Sequence, residues 1–346
     1  MWGEVFQKLE SGLELEQSQI RFAMSAILEG RASDEEIKGF LLKLKAKGET
    51  AREVLALVEV MFEHATLIDI PDRSVDTVGT GGDGFNTINI STTAAIVTTA
   101  AGARTIKHGN RAASSKCGAA DLLEHLGVAI NLNAAQVAES VRKIGIGFAF
   151  APVFHPAMRH AAAARKTLGT PTIFNILGPL ANPARPKAVA VGVARAEMLE
   201  LVAQVLALRG CEGFVFRGDE GLDEISIAGP TTIIQISEGQ LLKAKFDLRE
   251  IGFEPQPLKL LAGGDAAFNA KVIEGILNGE SGAGRDAVLL NAAISIAAFK
   301  GDFKLGIEQQ IANGLVLAKA AIDSGRASDL LQRWIGLSKE LAKSSL

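Results

Sequence analysis

The sequence predicts an α/β protein: a small all-helical domain over residues 1–70, then a large α/β domain over residues 71–346 with a mostly parallel central sheet. Three observations predict it. Only helical periodicity is found before Pro71, strand-like and helical runs alternate from Ser74 onward, and a glycine-rich loop follows the first of those strands. Such alternation gives a parallel sheet covered by helices on both faces.

The helical domain is read from its caps. Ser33 and Glu36 form a capping box before Ile37, Phe40, Leu41 and Leu44 at helical spacing, and Gly48 ends that helix. Thr50 and Glu53 repeat the device before Val54, Leu57, Val58 and Met61. Short helices without a strand need another surface to bury against, and the segment near 168–186 is expected to cross over and provide it.

In the second domain the first strand is expected at Ser74–Val78, with a small-residue helix from about Ser91 and the next strand at Arg104–Lys107. Further strands are expected at Gly147–Phe150, Ala188–Val193, Gly213–Phe216 and Thr232–Ile236, with helices at Pro156–Leu168 and Glu197–Leu208. Beyond Pro255 the chain turns helical again, and Ala287–Phe299 is apolar nearly all round, as a buried helix is.

Composition narrows the function classes. Apolar residues make up 48% and charged residues 22%, ordinary for a globular core. The net charge of −3 gives no general field for nucleic acid. The two cysteines, Cys117 and Cys211, stand far apart and outside any CxxC pair, which argues against a zinc ribbon or a disulfide framework. With no basic, apolar leader and no apolar run long enough for a bilayer, the expectation is a cytoplasmic protein without a membrane partner.

The chemistry concentrates between Val75 and Gly127. Gly79-Thr80-Gly81-Gly82-Asp83-Gly84 sits between a strand and a helix, where backbone amides and the helix dipole meet phosphates. It lacks the residues of a dinucleotide or Walker fingerprint. Asn89-Ile90-Ser91-Thr92 opens the next helix, and Lys107-His108-Gly109-Asn110-Arg111 falls at the neighbouring strand end, leading into a loop that carries Ser114, Ser115 and Lys116. Asp223-Glu224 is a carboxylate pair suited to Mg²⁺, with Asp219 and Glu220 as nearby competitors. Arg159 and Arg165 offer planar cations for a substrate carboxylate, while His155 and His160, five apart, do not share a helix face. Phe174–Leu180 is rigid and apolar and reads as a hinge or a domain crossing.

Taken in order, GTGGD (79–83), NIST (89–92), KHGNRAASS (107–115), Arg165 with LGTPTIFNILGPLANP (168–183) and GLDEIS (221–226) make the chain resemble the anthranilate phosphoribosyltransferase family over nearly its whole length. The resemblance implies a substrate cleft between a helical and an α/β domain, and a homodimer joined through the helical domains. It implies 5-phosphoribosyl-1-diphosphate as donor, anthranilate as acceptor, two Mg²⁺ ions per subunit, and a step of tryptophan biosynthesis. An association with anthranilate synthase or its glutamine amidotransferase is a further implication.

Carried over by position, the donor falls to Gly79, Gly82, Asp83, Thr87, Asn89, Ile90, Ser91 and Thr92. It also falls to Lys107, His108, Gly109, Asn110, Arg111, Ala112, Ala113, Ser114, Ser115 and Ala119. Anthranilate falls to Gly79, His108, Asn110 and Arg165, and the metal to Ser91, Asp223 and Glu224. No acid, base or nucleophile is nominated. Cys117 and the stretch Arg217–Glu220 depart from the family's usual serine and histidine-containing segment. The alternatives are a pyrimidine-nucleoside phosphorylase and a non-catalytic paralogue that binds nucleic acid.

Overall fold

The computed structural model describes residues 1–112 and 115–344. Four helices come first: α1 (Trp2–Glu10), α2 (Gln17–Leu28), α3 (Asp34–Lys47) and α4 (Ala51–Glu63). Both capping boxes form, with Ser33 Oγ accepting from Glu36 N and Thr50 Oγ1 from Glu53 N. Glu53 is fully buried, yet its carboxylate is satisfied by Lys47 Nζ at 2.7 Å and by the Leu15 amide at 2.9 Å. A buried charge persists only with partners of this kind.

Seven strands follow: β1 (Val75–Gly79), β2 (Thr105–Gly109), β3 (Ile146–Phe150), β4 (Ala188–Gly192), β5 (Glu212–Gly218), β6 (Thr231–Ser237) and β7 (Gln240–Phe246). They lie in the order β3-β2-β1-β4-β5-β6-β7. The first five strands are mutually parallel, whereas β6 pairs antiparallel with β5, and β7 antiparallel with β6. β7 has no counterpart in the sequence reading. It is an exposed edge carrying Lys243 and Lys245, which blur its alternation, and the positive φ of Glu238 and Gly239 makes the hairpin turn before it.

The chain moves from β1 outward to β2 and β3 and then returns on the other side to β4 and β5. The strand order therefore reverses between β1 and β4, and the crevice at their carboxyl ends is where such sheets bind ligands. Helix α5 (Ile90–Ala100) joins β1 to β2, and α6 (Ala119–Leu126) with α7 (Ala134–Ile144) joins β2 to β3.

Between β3 and β4 lie α8 (Ala151–Phe154), a 3₁₀ turn at Pro156–Ala161, α9 (Ala162–Leu168) and α10 (Phe174–Leu180). The single helix expected over Pro156–Leu168 is thus divided. At the start of that span the His155 imidazole bonds Ala181 O at 2.7 Å and Pro156 brings no amide hydrogen, which separates the 3₁₀ turn from α8. The expected hinge at 174–180 is itself a short helix containing Pro179.

Helix α11 (Ala196–Leu208) joins β4 to β5, and α12 (Ala266–Leu277), α13 (Ala283–Lys300), α14 (Ile307–Asp323) and α15 (Arg326–Lys343) close the chain. Alternate residues of β4 feed two cores. Ala188 and Ala190 pack with α5, α13 and α14, while Val189 and Val191 pack with α11 and the N-terminal helices. Phe174, Ile176, Leu177 and Leu180 of α10 join that second core. Among the described residues, no helix is long and apolar enough to cross a membrane.

Candidate active site

The glycine loop leaves β1 at Gly79 and needs positive φ at Gly81, Gly82 and Gly84. It is anchored to the end of β4, with Thr80 N donating to Gly192 O at 3.0 Å and Ala194 N to Thr80 Oγ1 at 3.1 Å. The loop after β5 folds back across this crevice. Gly81 N donates to Asp223 Oδ2 at 2.6 Å, and Ser91 N, in the first turn of α5, donates to Glu224 Oε1 at 3.1 Å. A Cβ on Gly79 or Gly192 would overlap Asp223, so both positions require glycine.

The competing acids are used elsewhere. Asp219 pairs with Lys245, and Glu220 accepts from the Ser226 hydroxyl. Of these two acidic pairs, Asp223-Glu224 is the one that meets the glycine loop and the start of α5.

Lys107 reaches the same place from β2, donating from Nζ to Thr77 O at 2.7 Å and to Ser91 Oγ at 3.3 Å. Burial lowers its ammonium pKa, against the pull of Asp76, Glu224 and Asp223. Asp223 is pushed up to about 7 by burial and by the charge of Asp83. Glu224 is raised well above the usual carboxylate range by burial and by Asp223. Buried carboxylates thus crowd one buried lysine, an arrangement that a divalent cation would relieve.

The other wall is built around His108. Its Nδ1 lies 2.9 Å from Gly178 O on α10, and because a carbonyl only accepts, Nδ1 carries the hydrogen. Burial and the neighbouring His155 imidazole, 5.4 Å away between ring centroids, push His108 down to about 3. Its Nε2 is a buried acceptor without a partner among the described residues.

Two residues that sequence reasoning missed hold this wall. Asp76, buried in β1, accepts from His108 N at 3.3 Å and from Asn182 Nδ2 at 2.8 Å. Asn182 also donates to Ile106 O at 2.7 Å. An aspartate inside a buried strand and an asparagine in an apolar crossing were the available signals.

The remaining sequence-predicted residues divide. Ile90 and Thr92 are buried, so only their backbones can serve a ligand. Thr87 bridges to Ala262. Asn89 Nδ2 donates to Cys117 O at 3.0 Å, tying the two small-residue loops together, and Asn269, also missed, supports Asn89 from behind at 2.8 Å. Gly109 ends β2 and Asn110 follows, with Asn110 O accepting from Ala120 N at 3.2 Å.

Arg111 is held by Asp121 at 3.0 Å and Glu124 at 2.8 Å. Asp121 also accepts from Ala112 N and Gly118 N, both at 2.9 Å. Ser115 is exposed and Ala119 opens α6, while Ala113 and Ser114 lie outside the described residues. Arg165 is exposed on α9, with its guanidinium 5.8 Å from the centre of the Phe174 ring.

Comparison with known proteins shows the family of the chain. The glycosyl transferase family helical bundle domain matches residues 3–65, and the α/β domain of the same family matches residues 71–328. The chain is 46% identical to the anthranilate phosphoribosyltransferase of Arthrobacter sp. (strain FB24) over 338 residues, 98% of this chain and 96% of that one. It is 48% identical to the enzyme of the same name from Rhodococcus jostii (strain RHA1), over 99% of this chain and 95% of that one. The chain belongs to the anthranilate phosphoribosyltransferase family.

Solved members of the anthranilate phosphoribosyltransferase family superpose closely. The Thermus thermophilus structure has a TM-score of 0.89 at 38% identity, covering 97% of this chain and 99% of that one. The Saccharomyces cerevisiae structure in complex with PRPP and Mg has a TM-score of 0.88 at 30% identity, covering 98% of each chain. The phosphorylase alternative gives way to this family. The two departures are absorbed locally: Cys117 uses its backbone oxygen toward Asn89, and Arg217 Nε donates to Ala194 O at 2.9 Å.

Proposed function

We propose that this chain transfers the 5-phosphoribosyl group from 5-phosphoribosyl-1-diphosphate to the amine of anthranilate, releasing pyrophosphate, in tryptophan biosynthesis. One observation carries the proposal: the Asp223-Glu224 pair folds against the glycine loop and the start of α5, beside Lys107, at the point where the sheet order reverses.

The donor set suits Mg²⁺. Among the described residues, no group of three or more His, Cys, Asp or Glu closes a cage. Two carboxylates and the Ser91 hydroxyl leave room for water and substrate oxygens, as this ion prefers. Asp223, Glu224 and Ser91 would hold it, as two ions per subunit in this reading. When bound, the metal supplies Lewis-acid neutralisation of the leaving pyrophosphate.

The chain's own residues do the rest. Free amides of the glycine loop and of the turn into α5 donate to phosphate oxygens, and Lys107 adds a fixed cation. The neutral His108 offers Nε2 only as an acceptor, which orients an incoming amine without protonating it. Arg165 suits the anthranilate carboxylate. An aromatic amine is uncharged near neutral pH and needs no prior deprotonation, so positioning is the protein's main contribution.

In this reading residues 1–70 form a domain of their own, and the cleft lies between it and residues 71–346. Self-association through the helical domain, where Leu13 and Leu42 are exposed, would give a homodimer. Sedimentation tests the dimer, and co-sedimentation with anthranilate synthase tests that partnership. The deciding experiment follows anthranilate fluorescence with donor and Mg²⁺, with and without EDTA. Donor- and metal-dependent loss with pyrophosphate release supports the proposal; no loss with donor demonstrably bound removes anthranilate as acceptor.

A further inference from the structure

We infer that Asn291 of α13 is a positioning residue for the metal-binding carboxylates, an inference that rests on the function proposed above. Helix α13 is buried along most of its length, and its buried polar side chains are Asn291 and Ser295. An asparagine is a poor helix former and costly among apolar neighbours unless its amide is fully used.

Here it is fully used. Asn291 Oδ1 accepts from Ile225 N at 2.8 Å, and Nδ2 donates to Ile225 O at 3.2 Å and to Ala287 O at 2.9 Å. The Ile225 amide can only donate, which fixes the orientation of the side-chain amide. Ile225 is fully buried and belongs to no strand, so Asn291 replaces the ladder partner its backbone lacks.

Ile225 directly follows Glu224. On the opposite side, the same loop presses against Gly79 and Gly192 and sends Asp223 to Gly81 N. The carboxylate pair is therefore clamped between two glycines in front and one asparagine behind. Without Asn291 the front contacts remain, but the Ile225 backbone directly behind the pair loses both of its side-chain hydrogen bonds, and with them the hold on the depth at which the pair stands in the crevice.

Asn291→Ala tests this, with Ser295→Ala as control. Ser295 Oγ donates to Asn291 O within the same helix at 2.7 Å and touches no part of the carboxylate loop in its hydrogen bonding. The readouts are calorimetric binding of 5-phosphoribosyl-1-diphosphate at varied Mg²⁺, and electron paramagnetic resonance of Mn²⁺ in its place. Asn291→Ala should raise the metal concentration for half-saturation about 10- to 100-fold, the usual cost of losing an outer-shell partner. Ser295→Ala should lower Tm and leave the metal requirement as in the parent. Asn291→Asp, which keeps the acceptor for Ile225 N, should fall between them, and it is the variant measured if alanine prevents folding. A folded Asn291 variant with the parent's metal requirement overturns the inference. A parent that binds no donor with Mg²⁺ removes the functional proposal, and this inference with it.

Discussion

The carboxylate of Asp223 lies in the space that a side chain at Gly79 would fill: a Cβ there would come within 2.9 Å of Asp223 Cγ. The backbone oxygen of Asp223 is also close, at 3.2 Å, so rotating the carboxylate away still leaves a tight contact with the loop backbone. Gly79→Ala should push the acidic loop outward by a fraction of an ångström or more. A misplacement of about 1 Å can cost about 100-fold, so kcat/KM should fall by up to about that factor, with a stability loss of about 1–3 kcal/mol from overpacking. The fluorescence assay beside thermal unfolding measures both, and wild-type turnover in the alanine variant would show that the contact has no catalytic consequence.

Asp223→Asn combined with Glu224→Gln should separate stability from function. Both carboxylates are buried, and each raises the pKa of the group beside it or is raised by it. Removing the charges relieves desolvation and repulsion, so Tm measured without metal should rise. Turnover should fall about 100- to 1000-fold, the scale of several kcal/mol of lost metal-assisted charge stabilisation. A lower Tm would mean that the pair stabilises the fold in its own right.

Acid should weaken the fold through His108. Burial and His155 hold its folded pKa near 3, whereas the unfolded imidazole protonates around 6.5. As pH falls through about 6.5 the unfolded chain takes up the proton first, so the unfolded state is favoured progressively until the folded pKa is reached. One unit below the unfolded pKa, the loss is about 1.4 kcal/mol. His108→Gln should therefore show a shallower fall of Tm between about pH 7.5 and 5.5. The KM for anthranilate in the parent should show no histidine inflection over the same range; an inflection near 6.5 that His108→Gln abolishes would contradict a neutral His108.

Arg165→Ala should act chiefly on binding. The residue is exposed on α9, and its packing on Phe174 is worth about 0.5–1 kcal/mol. The expected result is an anthranilate KM raised about tenfold or more with kcat nearly kept, since a bidentate partner for a carboxylate is lost. A Tm drop with unchanged KM would assign Arg165 to the packing of α10 instead.

Much of this arrangement is legible without coordinates. Ser33 with Glu36, and Thr50 with Glu53, mark helix starts because a cap is satisfied within four residues. The glycine loop and the Lys107–Arg111 run announce themselves because both end parallel strands, which share one edge. Other parts are silent in the chain. Asp76 and Asn182 meet only when the crossing segment returns over β2, and Asn291 meets Ile225 only when α13 packs beneath the sheet. The edge strand β7 escaped notice because its lysines face water and interrupt the pattern of alternation.

By itself the sequence determined the helical entry, the parallel sheet, the glycine-rich loop and the Lys107–Arg111 run at its edge, and the family, since each depends on periodicity, capping or short contiguous motifs. The tertiary structure decided which acidic pair stands at the glycine loop. Asp219 and Glu220 are spent on Lys245 and Ser226, while Asp223 and Glu224 are carried to Gly81 and Ser91. It also decided that His108 is neutral, because only folding buries the ring beside His155 and aims Nδ1 at Gly178. Spacing along the chain encodes local order. Charge state and the choice among like residues depend on what folding brings near and what it shuts away from water.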